Sequence, residues 1–227
     1  MKIVSSYRVR LYCDSNIFTD TVKIYREALA FLIDIYYKEW AQLALIENAK
    51  ARFNSAEYLV HNTKSNEAKY DFDSKFYKMP SYFRRAVIQD ALGCVSSYVS
   101  NYNNWLENGK KGKKPRLQVT RFNFPTFYRD NMYKEDGEQN IAYLKLYVKN
   151  DWCFVQFRMR KTDMNYLRKY WQHCNASAPT LEKRFGKYYL RFAFEENMAL
   201  SDTLIQDQHI CAVDLGLNSD AVCSIMT

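Results

Sequence analysis

The run His209-Ile-Cys-Ala-Val-Asp-Leu-Gly-Leu-Asn218 carries an acidic group, Asp214, at the end of an apolar stretch and two residues before a glycine. A carboxylate delivered there must face a functional pocket or the turn, because burying an unpaired charge in a sheet is costly. An aspartate at a strand end suits a divalent cation. Together with other carboxylates it can hold Mg2+ ions that activate water and stabilise a leaving oxygen. The same apolar-Asp-x-Gly pattern also fits phosphate binding or a plain turn-capping role.

A second group of residues could do chemistry of another kind. Residues 1–80 hold 12 Lys/Arg against 10 Asp/Glu, residues 81–134 hold 10 against 3, and residues 135–227 hold 11 against 12. Nearly all of the formal charge of +8 therefore lies in the middle segment. There Lys110, Lys111, Lys113, Lys114 and Arg116 alternate with Gly109, Gly112 and Pro115, the composition of a basic loop rather than a helix face. The loop runs into Arg121-Phe-Asn-Phe-Pro-Thr-Phe-Tyr-Arg129. Basic groups displace counterions from phosphates, and planar rings stack on unpaired bases. Phe122, Phe124 and Phe127 are expected mostly in the core, with Tyr128 and Arg129 at the surface. Arg84 and Arg85, off the apolar stripe of the preceding helix, read either as a solvated face or as phosphate contacts.

The elements that must position these groups follow from periodicity. Tyr7, Val9 and Leu11 alternate with polar neighbours, a short strand. Phe18, Val22, Tyr25, Leu29, Leu32, Tyr36, Trp40 and Leu43 recur every three or four residues, so a long helix reaching about Lys50 is expected. A weaker helix is expected at Ser55–Val60. Phe83, Val87, Ala91, Val95, Tyr98, Tyr102 and Trp105 predict a second long helix that starts at Pro80-Ser81 and is stopped by Gly109. From about residue 120 the period falls to two. Hairpins are expected at Ile141–Lys149 with Asp151–Arg160, at Leu181–Phe185 with Lys187–Phe194, and at His209–Asp214 with Ala221–Met226, with a short helix at Met164–Trp171. On the second strand, Cys153, Val155, Phe157 and Met159 share a face. The first strand is too short to stand alone and most economically joins the later sheet.

Other chemistry is thinly represented. At 227 residues with 48% hydrophobic and 26% charged side chains, the chain is an ordinary globular sequence. The longest apolar stretch, residues 28–46, is broken by Asp34, Lys38, Glu39 and Gln42, so it is not a membrane span. The N-terminus has no signal-peptide core, and a cytoplasmic location without membrane association is expected. Cysteines 13, 94, 153, 174, 211 and 223 form no C-x-x-C pair and read as small buried hydrophobes. The adjacent His173 and Cys174 do not make a metal site by themselves, and His61 and His209 read as structural or surface residues. Neither phosphate-loop nor dinucleotide-binding glycine motifs occur.

The ordered set of motifs resembles the TnpB (OrfB) family of transposon-encoded RNA-guided nucleases, relatives of the type V CRISPR effectors. The segments that carry the resemblance are Tyr7-Arg-Val-Arg-Leu-Tyr12, Met79-Pro-Ser-Tyr-Phe-Arg-Arg85, Pro115-Arg116, Phe124-Pro-Thr-Phe-Tyr128, Gly186-Lys-Tyr-Tyr-Leu190 and Ala212-Val-Asp-Leu-Gly216. The last resembles the first RuvC motif, in which an RNase H-like strand presents a metal-binding Asp, although sugar kinases and actin-like proteins use something close to it. The resemblance implies an α+β protein. Residues 1–14 and 121–205 would form an antiparallel OB-like wedge β-barrel, residues 15–120 an inserted helical recognition domain, and residues 206–227 the first strands of an RNase H-like (RuvC) domain. It implies guide RNA and target DNA as partners, with Arg84, Arg85, Lys110, Lys111, Lys113, Lys114, Arg116, Arg121, Tyr128 and Arg129 on nucleic acid. Asp214 would be the catalytic Mg2+ ligand. The family's further catalytic carboxylates have no match before Thr227, so cleavage by these residues alone is not expected. A catalytically inactive RNA- or DNA-binding protein is the alternative.

Overall fold

The computed structural model describes residues 2–14, 16–197, 210–214 and 222–226, the last two segments as backbone. It begins with β1 (Lys2–Tyr12), followed by the helices α1 (Thr19–Lys38), α2 (Trp40–Leu43), α3 (Ala49–Tyr58), α4 (Phe72–Lys75) and α5 (Ser81–Glu107). Next come β2 (Tyr133–Asp136), β3 (Ile141–Val148), β4 (Asp151–Met159), α6 (Lys161–Trp171), β5 (Asn175–Ala176), β6 (Thr180–Arg184) and β7 (Lys187–Asn197). β8 (Ile210–Asp214) and β9 (Val222–Met226) close the order. One compact unit spans Val4–Glu195, and a second comprises Met1–Ile3 with Glu196–Thr227.

In α1 the periodic positions are the buried ones: Phe18, just before the helix, then Val22, Tyr25, Leu29, Leu32 and Tyr36. The expected continuation to Lys50 does not form. Glu39 interrupts the helix, and its buried carboxylate accepts hydrogen bonds from Lys69 Nζ and the Tyr70 hydroxyl, both at 2.6 Å. Asn48, in an extended conformation, then starts a new helix, its Oδ1 accepting from the Ala51 amide at 3.0 Å. α3 thus takes the place of the short helix expected at Ser55–Val60. α5 matches its stripe, with Phe83, Val87, Ala91 and Val95 buried. The α1–α5 pair is tied by the Tyr25 hydroxyl donating to Asp90 and by the Tyr25 ring meeting Phe83 edge-on at 5.8 Å.

Seven strands form one sheet in the order β2-β3-β4-β1-β7-β5, with β6 also paired to β7. The sheet curls into a half-barrel. β1 pairs antiparallel with β4, Leu11 opposite Met159, so the first strand does join the later sheet. β3 and β4 are linked by Lys149-Asn150, both at positive φ, with Val148 opposite Asp151. Beyond the short β2, the outer edge of β3 is satisfied by α1: the Tyr147 amide donates to Thr21 Oγ1 at 2.9 Å, and Thr21 is fully buried. Phe18 fixes the same junction, stacking on Phe157 at 5.1 Å and meeting Tyr188 at 4.6 Å. Helices and sheet therefore contribute to one hydrophobic core. On β4 only Phe157 and Met159 of the expected apolar face are buried; Val155 is half-buried and Cys153 exposed. No helix among the described residues is long and apolar enough to cross a membrane.

Candidate nucleic-acid interface

α5 ends where the glycine requires it. Gly109 sits at φ +66 and Lys110 at φ +61, and the Gly109 and Lys110 amides close onto the Leu106 and Trp105 carbonyls at 3.0 and 2.8 Å. Residues 111–119 then run without regular structure. Leu117 and Val119 are half-buried against the core, so the strap is held by alternate residues while its charges face out. Lys110, Lys111, Lys113, Lys114 and Arg116 are all exposed, and Lys114 Nζ lies 5.7 Å from the Tyr102 ring centre. Between the strap and α5 runs an open groove of about 890 Å³, with Gln89, Asp90 and Asn101 on the helix side and Pro115 and Arg116 on the other. Asp90 is the acidic group in its wall. Burial pushes its carboxyl up, and the hydrogen bond from Tyr25 opposes that shift.

The aromatic segment beyond the strap distributes its rings differently from expectation. Phe127 is fully buried and Phe124 half-buried, but Phe122 is 73% exposed. Tyr128 and Arg129, expected at the surface, are drawn in. Tyr128 is half-buried against Tyr82 at 5.7 Å, and burial raises its hydroxyl pKa. The Arg129 guanidinium lies over Tyr133 at 5.5 Å and over Phe192 at 5.9 Å, with Glu135 at 3.9 Å. A second correction concerns α5. Arg85 is exposed over Phe53 at 5.1 Å, but Arg84 is buried, between Glu57 at 3.6 Å and Asp73 at 3.7 Å. Arg84 points toward α3 and α4 because two carboxylates wait there. Its burial leaves little of the guanidinium for a phosphate.

Arg121 is exposed, and its guanidinium lies 4.9 Å from the Phe122 ring. The groove also reaches Phe122 and Phe124, and those two rings line a further depression with Arg121, Lys183, Arg184 and Phe185. The fold thus brings Arg121 beside Lys183 and Arg184 of the β6–β7 hairpin, cations that periodicity and composition did not single out. Phe185 precedes Gly186 in a two-residue turn, a place where Asn or Asp is usual, and that mismatch was the available signal.

A family model, that of the Aq_aa04 family, matches residues 4–148. The chain belongs to the Aq_aa04 family. No curated protein matches it. The Aq_aa04 match takes in β1, all five leading helices, the basic strap, the Arg121–Arg129 segment, β2 and β3; the β6–β7 hairpin lies beyond it.

Asp214 ends β8, opposite Val222 on β9. Its carboxylate, and the turn that follows it, lie outside the described residues.

Proposed function

We propose that this chain binds nucleic acid, and that it is the binding portion of a TnpB-like RNA-guided DNA endonuclease. The observation that carries the reading is the exposed lysine strap beside an open groove, which continues into the Arg121–Phe122 turn. On this reading the curled sheet is the wedge barrel, the five leading helices are the recognition elements, and guide RNA and guide–target heteroduplex are the ligands. Sequence would be read by base pairing rather than by side chains. Asp214 would hold Mg2+ at the start of a RuvC sheet. One carboxylate does not position two ions, so the residues present bind and other carboxylates complete the cleavage site.

The test is the salt dependence of binding to structured RNA and to duplex DNA. Affinity should fall steeply as salt rises, and replacing Lys110, Lys111, Lys113 and Lys114 together by glutamine should reduce the log–log slope by up to about 3, at roughly 0.7–0.9 per lost phosphate contact. An unchanged slope removes the strap as the contact. For the nuclease part of the reading, Mg2+-dependent cleavage is measured in a version of the protein extended with the RuvC carboxylates of the family, where it should be lost in Asp214→Ala; equal cutting by both proteins removes Asp214 from the mechanism.

A further inference from the structure

The β6–β7 hairpin turn contains a residue whose conformation and exposure the fold does not explain. Arg184 pairs with Lys187, leaving Phe185-Gly186 as a two-residue loop with both residues at positive φ, +47 and +74. Such turns favour Asn-Gly or Asp-Gly, because a bulky side chain is strained in the left-handed region. Strain of this kind is ordinarily offset by packing, yet the Phe185 ring is 97% exposed. Among the described residues nothing rewards a phenyl group there.

A second exposed ring lines the same depression. Phe122 is 73% exposed and sits in a turn fixed from several sides. The Thr120 amide donates to Asn123 Oδ1 at 2.8 Å and the Phe122 amide to Thr120 Oγ1 at 3.2 Å. From α1, Arg26 donates to the Asn123 carbonyl at 3.0 Å and to the Arg121 carbonyl at 2.6 Å. Its guanidinium also lies over the Phe124 ring at 5.0 Å. The ring of Phe122 is therefore held outward by an ordered turn rather than by a slack loop. Around the two rings stand Arg121, Lys183 and Arg184, against Glu182. That carboxylate is already shared among Arg8 at 2.6 Å, Arg191 at 3.0 Å and Arg184 at 3.3 Å. The charge left to meet a ligand is positive.

We infer that Phe122 and Phe185 form a stacking site for unpaired bases of a single-stranded nucleic acid, with Arg121, Lys183 and Arg184 on its phosphates. Rings serve this role because every base has a face to stack on, and bases paired within a duplex do not offer it. The inference rests on the nucleic-acid reading above and adds to it a strand state and a location.

Phe185→Asn tests it, since asparagine suits the turn. The variant should keep or raise the thermal midpoint, so lost binding is not lost folding. Oligo(U), oligo(dT) and a blunt duplex of equal length serve as probes, with Phe122→Ser as a second variant. Each substitution should weaken both single strands about tenfold or more and leave the duplex within about twofold. The ratio of losses for the two single strands tells whether RNA or DNA is preferred. Unchanged single-strand affinity in both variants overturns the stacking site while leaving the basic interface standing, as does an equal loss on single strand and duplex. Failure of the unaltered protein to bind any of the three overturns both readings.

Discussion

Arg84 and Glu39 show how single charged side chains are committed inside this fold. Arg84 is buried between α3 and α4 and lies 3.6 Å from Glu57 and 3.7 Å from Asp73, both half-buried, and Asp73 also meets His61 at 2.8 Å and accepts from the Asn62 amide at 3.0 Å. The buried member is the arginine, and the carboxylates keep access to water, so Arg84→Gln should cost about 1–2 kcal/mol of stability, measured by urea denaturation. The same variant should leave the salt slope of nucleic-acid binding unchanged, which a phosphate-contacting arginine would not. Glu39 is held below the usual carboxylate range by the hydrogen bonds from Lys69 and then from Tyr70. A depressed carboxyl adds stability above its unfolded pKa near 4.3, and that stability is lost as pH falls through the folded value. Glu39→Gln should therefore lower the melting temperature at pH 7 and narrow its decline in acid below about pH 4. An equal acid decline in both proteins would show that Glu39 is not the group that titrates.

At the scale of elements, packing follows the periodic pattern closely in α1 and the first half of α5, and less so toward the end of α5 and on β4. α1 buries the residues whose spacing marks them, and Leu29, fully buried there, should cost about 3 kcal/mol when cut to alanine, read from the denaturation midpoint. The hairpins were legible because alternation marks their strands: every second residue is buried along most of β3 and β7, and Gly186 and Asn150 supply turn residues at positive φ between the paired strands. The end of α1 was not legible. Its apolar stripe continues through Trp40 and Leu43, and only the contact between Glu39 and the distant Lys69 and Tyr70 makes that glutamate a point of interruption. The candidate interface divides the same way. The lysine strap is visible as composition, whereas the exposure of Phe122 and the inward turn of Arg84 and Arg129 depend on partners far along the chain. Gly186, at φ +74, should lose about 1 kcal/mol on change to alanine, a penalty of conformation because open space surrounds its α-carbon.

For the Val4–Glu195 unit taken whole, the decisive feature is that the helices between β1 and β2 pack on one another and carry their core on into the sheet. Thr21 closes the outer edge of β3, Phe18 lies against Phe157 and Tyr188 of the sheet, and Phe83 of α5 meets Trp152 of β4 at 4.7 Å. Heating or denaturant cannot release the helices without uncovering the inner face of the sheet. The unit should therefore unfold in one cooperative transition, with helical far-ultraviolet dichroism and fluorescence changing together in a variant whose Trp40, Trp105 and Trp171 are replaced by phenylalanine, so that Trp152 alone reports on the helix–sheet seam. A separate early loss of helix with the fluorescence unchanged would mean that residues 15–120 fold as an independent domain. The shared core also bears on the groove, whose walls come from α5, the strap and the sheet: if the unit melts as one, Arg116 of the strap and Arg191 of β7 are held in register by the same free energy that holds the fold. Mild denaturant should then abolish the salt-dependent binding at the same midpoint as the fluorescence change, and binding lost well before that midpoint would place the interface on a separately melting part.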